Sequence, residues 1–392
     1  MSNEQERVEK FYFDITPEYF TDYYLYPDDV KLCCLCLLNY ERYNDYIPKK
    51  LEDNYKKLAP KYLEKLPFDY REKVKKVKEG FRINQEFYNK IASYYLELFN
   101  YVQLTDEQID KYQHDEQPFI SDYFLQILTR EWTEEGREER SKSFPLIIQE
   151  LKKYYNYENK SLMEKGVKIL VIGMRFGRLV YELAKLGYQV EGNERSYSYL
   201  LVDDYLFNYS KKNENCICPR INSFCSSFTE ESVTKKHYFP EVDIVEELKN
   251  VKSESITITK RHFEEEYVDV KDTFDCVITA FSSEEAKNII NFTEMVNNVL
   301  KKSGVWINLG GLTNMYAEYG GFDLTWEEWK HVILKSNFSI KNEETPVIPF
   351  CQIKGHSLFH VVLGFWPFFI KKKLFNPAHS PGFSKFFYDN II

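Results

Sequence analysis

The stretch VKILVIGMRFGRLVYELAKLGYQVEGNERS, residues 167–196, decides the fold. It opens with the apolar run VKILVIG (167–173), whose branched side chains suit a strand buried on both faces. GRLVYELAKLG (177–187) follows with apolar residues at helical spacing, and YQVEG (188–192) returns to strand composition. A strand, a turn, a helix and a second strand within about thirty residues form a βαβ unit, which sets the two strands parallel. The alternation continues in SITIT (255–259), FDCVITAF (274–281), EEAKNIINFTEMVNNVLKK (284–302) and VWINLGG (305–311). The predicted class is therefore α/β, a Rossmann-like parallel sheet with helices on both faces.

Working outward, the grammar upstream is helical. Residues 64–80 and 82–99 carry apolar side chains at helical spacing, and Leu146, Ile147, Ile148 and Leu151 after Pro145 predict a further amphipathic helix. The chain divides on this reading into a helical N-terminal region, 1–160, and an α/β domain, 161–392. Residues 210–254 exceed the ~4–6 residues of an ordinary connection and read as an insertion bearing the aromatic and acidic patch HYFPEVD (237–243). Residues 338–340 and 357–365 are strand candidates, predicted to pair as an antiparallel hairpin at the sheet edge.

Composition narrows the function. With 31 Tyr and 30 Phe against 15 Gly and 14 Pro the chain is globular, and its 392 residues exceed the ~100–200 of one ordinary domain. The net charge of −9 is dispersed and no basic block tracks a phosphate backbone, so nucleic acid is not an expected partner. The N-terminus, MSNEQERVEKFYFD, lacks the pattern of a secretory signal. The most apolar late run, 357–370, is shorter than the ~20 residues a bilayer crossing needs, so no membrane association is expected and the run reads as a buried strand. The eight cysteines include Cys33, Cys34 and Cys36 in an apolar run and the pair Cys216 and Cys218, without paired C-x-x-C spacing, and no H-E-x-x-H occurs. No metal is predicted; reduced thiols fit a cytoplasmic protein, with the nucleus as a second location.

The ends of parallel strands are where nucleotides and S-adenosylmethionine bind, because small residues let a ligand approach backbone N–H groups at a helix N-terminus. Gly173 ends the first strand, Gly177 opens the helix, and Glu194 stands where an acid can accept hydrogen bonds from ribose hydroxyls. The loop is GMRFG, with Arg175 at the position usually filled by glycine. Its side chain must swing to solvent or take space a ligand would use, and a cation there opposes a sulfonium. A nicotinamide loop would need glycine at Arg175 and again at Arg178, which disfavours an oxidoreductase. Ser282 and Ser283 lack a G-x-S-x-G context and read as the N-cap of a helix starting near Glu284. Trp326 and Trp329, at i, i+3 spacing, read as core.

Several separated blocks resemble the carnosine N-methyltransferase family: FRINQEFYNKIA (81–92), LTREWTEEGREER (128–140), residues 169–194, FPEVD (239–243), FDCVITAF and VWINLGG. The resemblance runs from Leu38 to Leu363. It implies a seven-stranded methyltransferase sheet beside the helical region, with methyl transfer from S-adenosylmethionine to an imidazole nitrogen. Carried over by position, Arg130 matches an arginine near the cofactor, Gly173 and Glu194 its backbone and ribose contacts, and Phe263 the aromatic residue beside adenine. His262 stands where the family has aspartate, and Gln126 lies one position from the family's glutamine. The expected cofactor contacts are Arg130, Gly173, Gly177, Glu194, His262, Phe263 and Thr279, with Glu284 as the catalytic candidate that orients the nucleophile. Lys287 and Met315 replace family histidines, and Ser357 or Leu358 a tyrosine, so carnosine itself is not supported position by position. Two functions follow as expectations. One is an N-methyltransferase for a small imidazole- or other nitrogen-containing compound. The other is a methyltransferase fold without catalysis, a scaffold or regulatory partner acting as a homodimer or with another protein.

Overall fold

The computed structural model describes residues 27–66, 68–98, 122–221, 227, 229–249, 251, 255–310, 324–343, 347–349, 362–364 and 368–372. In chain order the strands are β1 (Lys168–Ile172), β2 (Gln189–Glu194), β3 (Asn215–Ile217), β4 (His237–Phe239), β5 (Ile256–Lys260), β6 (Phe274–Ala280), β7 (Leu300–Leu309), β8 (Phe338–Glu343), β9 (Val347–Pro349), β10 (Val362–Gly364) and β11 (Phe368–Lys372). Seven of them form one sheet in the order β5-β2-β1-β6-β7-β11-β8. The pairs among β5, β2, β1, β6 and β7 are parallel, whereas β11 runs antiparallel to both β7 and β8. This is the α/β methyltransferase sheet that the sequence led us to expect. From β1 the chain winds outward to β2 and β5, then returns to the other side for β6 and β7. The order therefore reverses between β1 and β6, and a crevice opens beyond their carboxyl ends.

The far edge differs from the expected hairpin. β8 is paired by Phe368–Lys372 rather than by residues 357–365, and β11 lies inside the sheet with β8 as the edge. Of the 357–365 run, Val362–Gly364 is described, and it pairs with β9 in a separate two-stranded ladder. Proline cannot donate to a ladder, and the register that joins β7 starts at Phe368, immediately after Pro367.

Three helices also depart from the sequence reading. The helix Tyr70–Leu98 runs 29 residues through Gly80, where the sequence suggested two segments. A Cβ at Gly80 would lie 2.4 Å from Ile221 Cδ1, so the glycine is where the insertion packs against the helix. The helix Arg137–Tyr154 encloses Pro145 instead of starting after it. Its first turn is held by buried Arg140, which donates to the Thr133 carbonyl at 3.0 Å and pairs with Glu241. Tertiary anchoring outweighs the lost backbone bond. The helix expected from Glu284 begins at Ile289, because the Asn288 side chain accepts from Ile290 N–H at 3.0 Å and Asn291 N–H at 3.1 Å. Ser282 instead donates to the Ile172 carbonyl at 2.6 Å.

The described part of residues 210–254 includes a two-stranded ladder. β3 and β4 pair antiparallel, and Asn84 on the long helix bonds both backbone groups of Cys218, at 3.1 and 2.7 Å. Glu241, in the FPEVD block, is buried against Arg140 and against Arg178 at 3.1 Å, while its N–H donates to the Trp132 carbonyl. One continuous apolar cluster includes Val30, Phe81 and Trp132 from the helical region, Val171 and Val190 from the sheet, and Phe239 from the insertion. A second cluster on the opposite face holds Leu170, Trp306, Trp326 and Trp329, so the tryptophan pair is core, as its spacing suggested. Among the described residues no helix is long and apolar enough to cross a membrane.

Candidate functional site

Four strand ends meet at the crevice. The loop after β1 is tied to β2 by Gly173 N–H and Met174 N–H, which both donate to the Asn193 carbonyl, at 2.9 and 3.1 Å. Gly173 has φ 67°, and a Cβ there would lie 2.6 Å from the Ser282 Cβ. Its missing side chain is therefore what lets the β1 and β6 loops approach. Gly177 caps the following helix in left-handed backbone and does not line the crevice; it backs onto the Phe207 ring.

Glu194 ends β2 and is 6% exposed. Its Oε2 accepts from Arg175 N–H at 3.0 Å, and Oε1 accepts from Arg195 and Ser196 N–H at 2.9 Å each. Burial pushes this carboxyl up to about 7, Glu285 adds to the rise, and the backbone donors oppose it. The crevice is an open cleft between Gly173, Glu194, Arg261, His262, Phe263 and Glu285. Phe263 opens a short helix, Phe263–Glu266, and packs against Tyr267 and Phe292 at ring separations of 5.3 and 5.2 Å. His262 precedes it, and burial, Arg195 and Lys287 hold its imidazole below the ordinary value. Gly173, Glu194, His262 and Phe263 are thus brought together as expected.

Beside Glu285, which lines the crevice, stand Arg175 and Glu284, which do not line it. Arg175 adopts φ 55° and turns inward rather than to solvent: Nη2 donates to the Phe281 carbonyl at 2.7 Å and lies 3.5 Å from Glu285 Oε1. Glu285 Oε2 is 3.7 Å from Arg195. Glu284 sits in a single 3-10 turn, Ser283–Glu285, and burial pushes its carboxyl up to about 7, with Arg175 and Arg130 opposing the rise and Glu285 adding to it. A near-neutral carboxyl of this kind can hold or take a proton at physiological pH.

Besides Gly177, two expected contacts lie elsewhere. Arg130 is buried beside Glu131, with its guanidinium carbon 5.3 Å from the Phe281 ring centre, and lines a separate small cavity with Gln126, Thr129, Glu139 and Arg220. Thr279 is fully buried inside the sheet: Oγ1 donates to Asn308 at 2.7 Å and accepts from Trp306 Nε1 at 3.0 Å. Strand alternation puts it on the face of Val277, and its hydroxyl is committed there rather than to the crevice. Lys287 is exposed and acts on His262. Met315, Ser357 and Leu358 fall outside the described residues. Arg195, Arg261, Glu285 and Phe292 line the crevice and were missed; the first and third directly follow Glu194 and Glu284, so charge adjacency was the available signal. Among the described residues no cluster of three His, Cys, Asp or Glu side chains fits a metal.

The family model for carnosine N-methyltransferase matches residues 107–372, more than half of the 392 residues. The chain belongs to the carnosine N-methyltransferase family. Carnosine N-methyltransferase of Dictyostelium discoideum is 27% identical over 339 residues, 81% of this chain and 70% of that protein. Carnosine N-methyltransferase unmet of Drosophila melanogaster is 33% identical over 50% of this chain and 42% of its own length. The Mus musculus carnosine N-methyltransferase is 30% identical over 57% of this chain and 56% of its own. The matched region thus spans about half the length of the fly and mouse carnosine N-methyltransferases. In this member of the carnosine N-methyltransferase family the crevice is lined by the strand-end acid Glu194 and the aromatic Phe263, and the buried Arg175 guanidinium lies beside it on the Phe281 carbonyl, near Glu285.

Proposed function

We propose that the chain is an S-adenosylmethionine-dependent N-methyltransferase whose acceptor is a small imidazole- or other nitrogen-containing compound. The observation that carries this reading is Glu194, a buried strand-end carboxylate facing a crevice whose other wall is Phe263. The residues fit an adenosyl group: Phe263 offers an aromatic face to a base, His262 a largely neutral imidazole to its edge, and Glu194 an acceptor for a ribose hydroxyl. Gly173 supplies the close backbone approach. The cofactor, when bound, supplies an electrophilic methyl group on sulfur.

The chain's own part is orientation and proton handling. Alkylation of an imidazole breaks a sulfur–carbon bond, forms a nitrogen–carbon bond and leaves a cationic ring. The attacking nitrogen must therefore offer its lone pair, and the proton on the second nitrogen must find an acceptor. Glu284, close to half-ionised near neutral pH, can accept from that N–H and hold the ring in one tautomer. A second reading, a fold kept without catalysis, is favoured by the buried Arg175 guanidinium beside the crevice, held on the Phe281 carbonyl. Calorimetric titration with S-adenosylmethionine and S-adenosylhomocysteine, followed by labelled-methyl transfer to carnosine and other imidazoles, separates the two. Folded protein that gives no heat with either ligand would sink the enzyme reading.

A further inference from the structure

His262 lines the crevice with an imidazole that the fold does not use. It precedes the short helix Phe263–Glu266, yet its side chain does not cap that helix; its carbonyl does the work, accepting from Glu265 and Glu266 N–H at 3.0 Å each. Among the described residues neither ring nitrogen has a hydrogen-bond partner. Burial holds the half-buried ring below its ordinary value, Arg195 and Lys287 add to that, and Glu265 and Glu264 oppose it, so the imidazole is neutral at physiological pH. A neutral imidazole carries one N–H donor and one lone-pair acceptor, and moving the proton between its nitrogens lets the one that faces a ligand play either part. The other polar side chains on this wall have fixed roles. Arg261 donates only, and an ionised Glu264 accepts only.

We propose that His262 reads the edge of the bound base, and that the crevice therefore accepts a 6-oxo purine nucleoside as well as a 6-amino one. The proposal rests on the adenosyl-ligand reading above, which sets the base beside Phe263, the next residue in the chain. Adenine presents an amino group at its 6-position, from which the imidazole lone pair accepts. Hypoxanthine presents a carbonyl oxygen there, to which the imidazole N–H donates. Either ligand makes one neutral hydrogen bond to the ring. Strong rejection of an analogue arises where a polar group of the site is left unpaired, and a ring that can switch roles leaves none. Hydrolytic deamination, which exchanges the 6-amino group for oxygen and releases ammonia, thus yields a nucleoside that still fits this crevice.

The test is calorimetric titration of the full chain, at neutral pH, with S-adenosylhomocysteine and its 6-oxo analogue S-inosylhomocysteine. Wild type is compared with His262→Asn, His262→Asp and Glu264→Gln, each checked for folding by circular dichroism. Asparagine keeps a donor and an acceptor; aspartate, when ionised, only accepts. The expected wild-type affinities agree within about threefold, and His262→Asn and Glu264→Gln keep that ratio. His262→Asp is expected to favour S-adenosylhomocysteine by about tenfold or more, since its carboxylate faces the carbonyl oxygen of the analogue without a proton between them. A wild-type preference of about tenfold or more for either ligand overturns the proposal, because it assigns the base edge to a partner of fixed role. So does a ratio that His262→Asp leaves unchanged, or one that moves only in Glu264→Gln. Binding of S-adenosylhomocysteine with rejection of the analogue leaves the adenosyl-ligand reading standing and removes this proposal alone. Folded wild type that binds neither removes both.

Discussion

Replacing Glu194 with Gln, read against pH, probes the crevice most directly. The ionised carboxylate has about four lone-pair sites, and backbone N–H groups of Arg175, Arg195 and Ser196 fill three, leaving one on Oε2 for a ribose hydroxyl. A hydrogen bond to a charged acceptor contributes about 1.5–3 kcal/mol, so Glu194→Gln should weaken adenosine binding by about 10- to 150-fold. Adenosine is the right ligand because it bears the ribose and nothing that titrates near neutrality. The charged form is needed, and this carboxyl is pushed up to about 7. Ionisation then rises from about one-tenth at pH 6 to about nine-tenths at pH 8, and affinity should rise about tenfold over that range in wild type. His262, already held below its ordinary value, is largely neutral throughout. The same shift predicts stability. With a folded value above the ordinary 4.5, the native state binds more protons between 4.5 and about 7, so stability falls as pH rises through that window, with Glu284 acting in the same direction. Calorimetry from pH 6 to 8 provides the measurement. A flat wild-type profile, or one that survives in Glu194→Gln, refutes the assignment of Glu194 to the ribose.

Other expected outcomes follow from single contacts. Gly173→Ala places a Cβ 2.6 Å from that of Ser282 in left-handed backbone, which should cost about 2–4 kcal/mol by urea denaturation; an unchanged midpoint would show that the β1 and β6 loops yield freely. Glu284→Gln should lower kcat by about 10²–10⁴-fold while sparing affinity for S-adenosylhomocysteine, and should abolish the acidic limb of the pH–rate profile near 7; equal loss in binding would place the residue on the cofactor instead. Glu241→Ala leaves buried Arg140 and Arg178 without their shared carboxylate and should destabilise the fold by about 3–5 kcal/mol. A shift below about 1 kcal/mol there would show the cluster to be solvated.

The sheet was legible because its signal is local: strands buried on both faces read as apolar runs, and residues 167–196 contain a complete βαβ unit. Gly173 and Glu194 were legible for a related reason, since a parallel sheet brings strand ends to one crevice whatever the intervening lengths, whereas Phe263 came only from the family resemblance. Thr279 misled because position near a strand end says nothing about which face a side chain takes, and here Trp306 and Asn308 claim its hydroxyl. Arg130 lines a separate small cavity, a placement that sequence order cannot express. Gly80 and Pro145 look like breakers until Ile221 and Glu241 are seen against their helices, and those partners are remote in sequence. Arg175 was visible as an oddity, but its direction depends on the Phe281 carbonyl across the sheet.

Synthesis proceeds from the N-terminus, and β11 is the described strand that the ribosome reaches last. β7 is complete at Leu309 and β8 at Glu343, yet the strand that joins them ends at Lys372. At about 5–20 residues per second, β7 waits about 3–12 s for its neighbour, with one row of backbone N–H and C=O groups unmatched. The nascent chain thus passes through a stage in which the methyltransferase sheet is open at its middle rather than at its rim. A hydrophobic strand in that state is a natural client for chaperones, and truncation upstream of residue 368 would make the exposure permanent.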